Sequence, residues 1–483
     1  MLGISHWWRN PPSAKSPRIS LFPSAPVCGT PLGVNWFSLL CADRLGRTKP
    51  GRREAARSDF QRDSDRIIFS SAFRRLQDKT QVFPLAENDF ARTRLTHSLE
   101  VASVGRSLGS RVGAVLCARH RLGNEGLDPS DFGEVVHAAA LGHDLGNPPF
   151  GHSGEDAIQN WFKSDSVHAR GARRGLSAAE VADIERYEGN AQGFRILTRL
   201  QMPDNAGGLQ LTYATLGAFT KYPHASLVGA VPHKGASLKK FGYFQTEREH
   251  FSAIAQHCGL IQRAPECWAR HPLVFLVEAA DDICYRLVDF EDGFRLGHLR
   301  FEDVRDAFLA VIPQEKHPRD LRGMSSRKAA VEMLRAMAIG ACLGQCAALF
   351  LDEEAAILDG KFDTPLIDAI PAAGAMGEIQ DVSRKTIYAT ERGVQIEIAG
   401  YEVLGGLLDI FASALNDIAE KRDAASKRSQ KLASQLPTEC LTAARELSAY
   451  ERLMRLLDFV SGMTDSYAVG LFRKVKGIAL PGT

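Results

Sequence analysis

Leu141-Gly142-His143-Asp144-Leu145-Gly146-Asn147-Pro148-Pro149-Phe150-Gly151-His152 ends a helix and opens a sharp turn. Residues 132–145 carry apolar side chains at helical spacing, so a helix is expected up to Gly146. Asn147-Pro148-Pro149 cannot extend it, because proline lacks the amide donor and drives the residue before it out of the helical region. His143 and Asp144 therefore stand at a helix C-terminus. Alone they say little, since such residues are ordinarily surface or core groups. Two other stretches give them meaning. Arg94-Leu95-Thr96-His97 heads an amphipathic helix over 98–119, with Leu99, Ala102, Leu108, Val112, Val115 and Leu116 along its apolar stripe. Glu278-Ala279-Ala280-Asp281-Asp282-Ile283-Cys284-Tyr285 lies in a strongly apolar helix over 272–290. A buried helix does not keep carboxylates without a partner, because an unpaired charge in the core is costly. A divalent cation is such a partner, and imidazole with carboxylate suits ions that activate water. His97, His143 and Asp144 are three candidate ligands. Asp281 and Asp282 point about 100° apart on a helix, so only one can face the ion. Asp281, Tyr285 and Asp289 fall on one face, which makes Asp281 the fourth ligand and Tyr285 and Asp289 pocket-lining residues.

The bulk properties frame this site. The chain has 483 residues, 45% hydrophobic and 24% charged, the profile of a globular protein with a large core or two to three modules. A net charge of +2 provides no global field toward nucleic acid, although residues 44–75 concentrate Arg52, Arg53, Arg57, Arg62, Arg66, Arg74 and Arg75. The 9 cysteines are scattered without a CxxC pair, which fits reduced thiols in the cytoplasm. The longest apolar run, 336–351, is about one turn short of a bilayer crossing, so no membrane partner is expected. Residues 1–33 are rich in Pro and Ser and lack a signal-peptide core; a disordered tail or an upstream-assigned start is expected there. The domain reading is an extension over 1–50, a catalytic core over 51–300 and a helical region over 301–483 that packs on it.

The helical period persists to the C-terminus with little β-alternation, so the fold class is all-α, with at most a small hairpin. Residues 163–180 read as a loop, 180–200 as a helix, and 209–220 as a small-residue apolar segment ending at Lys221-Tyr222-Pro223. His152 follows His143 by nine residues and precedes Glu155 by three. A carboxylate at that spacing can hold an imidazole in one tautomer for acid–base work; a capping role at the start of a helix from Ser153 is the equal alternative. Arg92, Arg94 and Lys221 near a metal site point to a polyphosphate substrate. A P-loop and a GxGxxG are both missing, which excludes a Walker NTPase.

At these residues the chain resembles the HD-domain superfamily of metal-dependent phosphohydrolases. More narrowly it resembles the bacterial deoxyguanosinetriphosphate triphosphohydrolase (dGTPase) family. The likeness is carried by Arg74-Arg75-Leu76-Gln77-Asp78-Lys79-Thr80-Gln81-Val82-Phe83-Pro84-Leu85, by Gly142 through His152, by Tyr187-Glu188-Gly189-Asn190-Ala191-Gln192-Gly193, and by Ser461-Gly462-Met463-Thr464-Asp465. The resemblance implies an HD-domain helical bundle with an added C-terminal helical region. It implies His97, His143, Asp144 and Asp281 as metal ligands, and His152 with Glu155 as the catalytic pair. It implies Arg94, Asn190 and Lys221 on the phosphates, Tyr222, Tyr285 and Asp289 around the deoxyribose, and Val82 or Gln77 at the base. The cofactor would be Mg2+ or Mn2+, with Fe2+, Co2+ or Zn2+ also compatible. Hydrolysis of a dNTP, dGTP favoured, to deoxynucleoside and triphosphate is the implied reaction; self-association as a hexamer or other ring and a single-stranded DNA effector are further implications. Three rivals stand beside it: an HD hydrolase of alarmones, 5′-nucleotides or cyclic dinucleotides, a single-stranded nucleic-acid-binding protein, and a regulatory protein that kept only the fold.

Overall fold

The helix Arg94–His120 lies against the helix Pro129–Gly142 closely enough that a side chain would not fit at Gly109 or Gly113. A Cβ on Gly109 would come 2.7 Å from the Phe132 carbonyl, and one on Gly113 would come 2.6 Å from that of Pro129. Gly105, Gly109 and Gly113 recur every fourth residue, so they share one face and let the two backbones approach. The helix Val274–Arg295 crosses this pair, and Ala280 meets Gly105. It is buried on nearly every side, with Phe275, Leu276, Ile283, Leu287 and Phe290 in the core. Each such large apolar side chain contributes roughly 1.5–3 kcal/mol on burial. The computed structural model describes residues 34–48, 57–81, 92–319 and 324–479, which belong to one compact unit. Of the expected 1–50 extension, residues 34–48 are packed, with Trp36, Leu39, Leu40 and Leu45 in the core.

A second apolar cluster joins the helix Gly151–Lys163 to Glu391–Lys421, Ala449–Ser461 and Asp465–Val475. Ile158, Phe162, Leu404, Leu407, Phe411 and Leu457 form its centre. The turn 143–150 thus joins a helix of one cluster to a helix of the other. The described residues are helical apart from their connections, the longest over 220–235, and one antiparallel hairpin of Gln262–Ala264 with Cys267–Trp268. The all-α expectation, with at most a small hairpin, holds.

Local chemistry corrects several boundaries. The expected loop over 163–180 contains the helices Val167–Arg173 and Ala178–Glu185, each capped by a serine, Ser166 and Ser177. Ser177 and Glu180 form a capping box, a signal that outweighed the polar composition. The expected 180–200 helix breaks after Glu185, because Glu188 caps a new helix, Gly189–Arg195. By length and composition alone, Arg327–Asp352 and Gly393–Ala424 could each cross a membrane, contrary to the length expected for the first. Both put apolar faces into the core, through Leu334, Cys342, Cys346 and Phe350 and through Leu404, Leu407, Leu408 and Phe411. Much of the arginine-rich stretch is committed internally. Arg44 pairs with Asp59 and Asp63, Arg57 with Asp65, and Arg66 donates to the Leu209 and Gln210 carbonyls. Arg52 and Arg53 lie outside the described residues.

Candidate metal centre

His97 stands in the first turn of its helix, where Thr93 and Thr96 form a capping box that fixes the helix start. His143 stands just past Gly142, at the C-terminal end of its helix. Asp281 comes from the crossing helix. The His97 Nε2 is 3.1 Å from Asp281 Oδ1, the His143 Nε2 is 3.6 Å from the same oxygen, and the two imidazole centroids are 5.3 Å apart. One ligand atom from each of the three lies within 4.8 Å of the others.

The His143 ring decides whether a metal fits. Its Nδ1 lies 2.7 Å from the Ala140 carbonyl, which can only accept, so Nδ1 carries the proton. Nε2 faces the Asp281 carboxylate 3.6 Å away, buried and without a hydrogen-bond partner among the described residues. Buried polar atoms are rarely left in that state. Two imidazoles and a carboxylate around such an orphan form a donor set suited to a divalent ion, and the ring is already held by a carbonyl behind it, as metal-bound histidines are. Asp144 sits at the edge of the trio, 3.5 Å from His143 Nε2. Its Oδ2 accepts from Arg94 at 2.8 Å and its Oδ1 from Asn147 at 2.5 Å. Burial works against its charge, but Arg94 and the two histidines hold its carboxyl down at about 2. Asp281 is likewise held below the usual carboxylate range against its burial, by His143 and His97.

These residues open into a cavity of about 520 Å³. His152 reaches it from the far end of the turn. Its side chain is 82% exposed, and its Nδ1 is 3.1 Å from Glu155 Oε2. Glu155 is buried and also accepts from the Gly189 amide at 2.7 Å. A Cβ on Gly189 would meet the Glu155 carboxylate at 2.6 Å, and one on Gly146 would meet the Gly189 carbonyl at 1.9 Å. The Glu-Gly-Asn-Ala-Gln-Gly segment and the Gly146 turn therefore need glycine where they touch. Burial raises the Glu155 carboxyl, but the His152 hydrogen bond and the Lys240 charge bring it below its ordinary value.

An HD-domain family model matches residues 94–190, which include every one of these groups except Asp281 and Lys240. A deoxyguanosinetriphosphate triphosphohydrolase-like protein of Synechocystis is 44% identical over 92% of this chain and 100% of its own length. Another of Pseudomonas aeruginosa is 41% identical over 93% of this chain and 100% of its own. The deoxyguanosinetriphosphate triphosphohydrolase of Salmonella enteritidis is 33% identical over 87% of this chain and 94% of its own. The chain belongs to the HD-domain deoxyguanosinetriphosphate triphosphohydrolase family.

The family's expected substrate residues are only partly brought together. Arg94, Asn190, Lys221, Tyr222 and Tyr285 line the cavity. Arg94 is shared with Asp144, and Asn190 donates to Glu188 at 2.7 Å. Lys221 pairs with buried Glu278 at 3.1 Å, and Glu278 also takes Arg270 at 2.8 Å. Asp289 does not line the cavity. It is 1% exposed, and its Oδ2 accepts from the Tyr388 hydroxyl at 3.0 Å. Asp289 shares a helix with Asp281, but the Tyr388 hydroxyl bonds its carboxylate and it stays off the cavity wall. Gln77 is exposed and also off the cavity wall. Val82 lies outside the described residues, while Thr80 and Gln81 just before it line the cavity.

Tyr388 and Lys240 are among the wall residues that the sequence did not single out. Tyr388 stacks on Tyr285 with centroids 5.5 Å apart and planes 16° apart. Lys240 lies 3.3 Å from Glu155 and 3.0 Å from Glu188. In the sequence Lys240 belongs to a basic, glycine-containing stretch over 231–242 with Lys234 and Lys239, and nothing in that stretch points to the metal site.

Proposed function

We propose that this protein hydrolyses deoxynucleoside triphosphates to deoxynucleoside and inorganic triphosphate, with dGTP the preferred substrate. The observation that carries this reading is the orphaned His143 Nε2, facing His97 and Asp281 in a cavity that also presents Arg94, Lys221 and Lys240. The names of the relatives point the same way. His97, His143 and Asp281, with Asp144 at the edge, would hold a divalent ion, Mg2+ or Mn2+ first by supply. Such an ion lowers the pKa of bound water and polarises phosphoryl oxygens.

The chain's own groups do the rest. Lys221, aimed by Glu278, and Lys240, held between Glu155 and Glu188, offset the charge of the triphosphate, with Arg94 at its inner end. Water adds at the α-phosphorus, and the bond from that phosphorus to the 5′ oxygen breaks. The departing oxygen takes a proton. His152 is the exposed imidazole in position to manage that proton, oriented by the Glu155 carboxylate. The stacked Tyr285 and Tyr388 rings form a flat wall suited to a sugar face without a 2′-hydroxyl.

The test is a product assay with the four dNTPs, their ribonucleotide counterparts, cyclic dinucleotides and 5′-monophosphates, with Mg2+ or Mn2+ added. Inorganic triphosphate from dNTPs, fastest from dGTP, is expected. Pyrophosphate or monophosphate as the main product would overturn the reading.

A further inference from the structure

The backbone just before His152 is bent against its preference. Phe150 has φ 64° and Gly151 φ 59°, the left-handed region that a bulky side chain avoids. Such a turn persists only where its surroundings over-determine it. The Phe150 amide donates to Asp465 Oδ1 at 3.0 Å across 315 residues of sequence. The other oxygen of Asp465 accepts from the Thr80 amide at 3.0 Å and from the Thr80 hydroxyl at 2.6 Å. Asp465 is 1% exposed, so these bonds are not shared with water. Beside it, the buried Lys79 ammonium donates to the carbonyls of Asn147 and Ser461, at 2.5 and 2.8 Å. One carboxylate and one ammonium thus fasten both ends of the Asn147–Phe150 turn to the start of the helix Asp465–Val475 and its approach. His152, by contrast, has only Glu155 as a side-chain partner among the described residues, so its position depends on the backbone that carries it.

We propose that Asp465 is a positioning residue for His152, holding the strained Phe150–Gly151 turn so that the imidazole stands over the reacting phosphate. The proposal rests on the reading of His152 as the proton-transfer group. It makes the C-terminal helix part of the catalytic apparatus without placing any of its atoms on the substrate.

Asp465→Asn keeps the shape but replaces one acceptor with a donor, so either Phe150 or Thr80 loses its partner. A catalytic group displaced by about 1 Å costs on the order of 100-fold in rate. Asp465→Asn should therefore lower kcat about 10- to 100-fold, with KM and metal content unchanged. In a His152→Ala background the same substitution should cost nothing more, because the group it positions is gone. Unchanged kcat, metal loss in parallel with kcat, or penalties that multiply in the double variant would each overturn the proposal. If Asp465→Asn does not fold, Thr80→Val removes only the hydroxyl contact. A smaller fall in kcat at constant KM then supports the proposal, and wild-type kcat overturns it. His152→Ala alone separates the two readings: wild-type turnover there would sink the proton-transfer assignment itself, and a large loss there with an unaffected Asp465→Asn would sink only this inference.

Discussion

The two ends of the 143–152 turn are built by opposite means. At His143 the side chain is mostly buried, its ring fixed by a carbonyl of its own helix, and its partners come from helices packed through glycine and alanine. At His152 the ring is largely exposed, and what orients it is a buried carboxylate and a left-handed turn tied to the far end of the chain. The first end gains its geometry from regular packing, which holds the His143 Nε2 buried without a hydrogen-bond partner among the described residues. The second gains it from long-range hydrogen bonds. On the proposed roles this is a division of labour: the metal site, which tolerates little movement, is built into the core, whereas the proton-transfer group, which must meet water and substrate, is placed by a bracket.

That contrast predicts different ways of failing. His143→Ala or Asp281→Ala should lose bound metal and activity together. Losing several kcal/mol of transition-state stabilisation means a fall on the order of 1000-fold or more. Metal content by elemental analysis, read beside turnover, checks this; full metal occupancy in either variant would break the comparison. His152→Ala should keep its metal and lose about 100- to 1000-fold in kcat, within the usual span of general acid–base catalysis. Loss of metal in that variant would show that the two ends are one structural unit.

How much of this was readable in advance follows the same division. His97, His143 and Asp281 were legible because each lies on or beside a regular helix, where period and burial say which face looks inward. The His152–Glu155 pair was legible as a pair, since three residues of helix separate them, but its role was not. The bracket that sets it runs through Thr80, Asp465 and Lys79, and nothing periodic links those positions. Lys240 escaped because a loop folds it back onto Glu155 and Glu188. Tyr388 escaped because it follows the helix Ala373–Thr386, far from Tyr285 along the chain. Asp289 follows Asp281 by eight residues on one helix, but whether it reaches the cavity depends on Tyr388, which the helix itself does not announce.

Acid should test the buried end more gently. The Asp144 carboxyl sits at about 2, below its usual range, against its burial and chiefly because of Arg94. A depressed carboxylate contributes stability that is present above its unfolded pKa and lost as pH falls through its folded one. In chelator-treated protein, Arg94→Met should therefore be less stable than wild type by up to about 2 kcal/mol at pH 6. The gap should close as pH falls from about 4 toward 2. Urea midpoints at pH 6 and pH 3 measure it, and a gap that widens in acid would contradict the assignment of Arg94 as the partner of Asp144.

The smallest effect is expected at Tyr388, where ring and hydroxyl face different tasks. The ring stacks on Tyr285 at the cavity wall, while the hydroxyl donates to Asp289 behind it. Tyr388→Phe keeps the wall and removes the donor. Burial already pushes the Asp289 carboxyl up to about 7, so near neutral pH it is part protonated. A partly neutral acid tolerates the loss of one donor better than a full charge would. The expected cost is about 1 kcal/mol of stability, the net worth of an ordinary hydrogen bond, with KM for the nucleotide within roughly twofold of wild type because the stacked surface survives. Because a raised pKa favours the protonated folded form, the variant should be closest to wild type in acid and fall behind as pH rises through 7, where Asp289 becomes charged without its donor. Thermal midpoints from pH 6 to pH 8.5 read this out. A large rise in KM at constant stability would mean that the hydroxyl itself serves the substrate and that Asp289, now hidden behind it, belongs to the cavity wall once a nucleotide is bound.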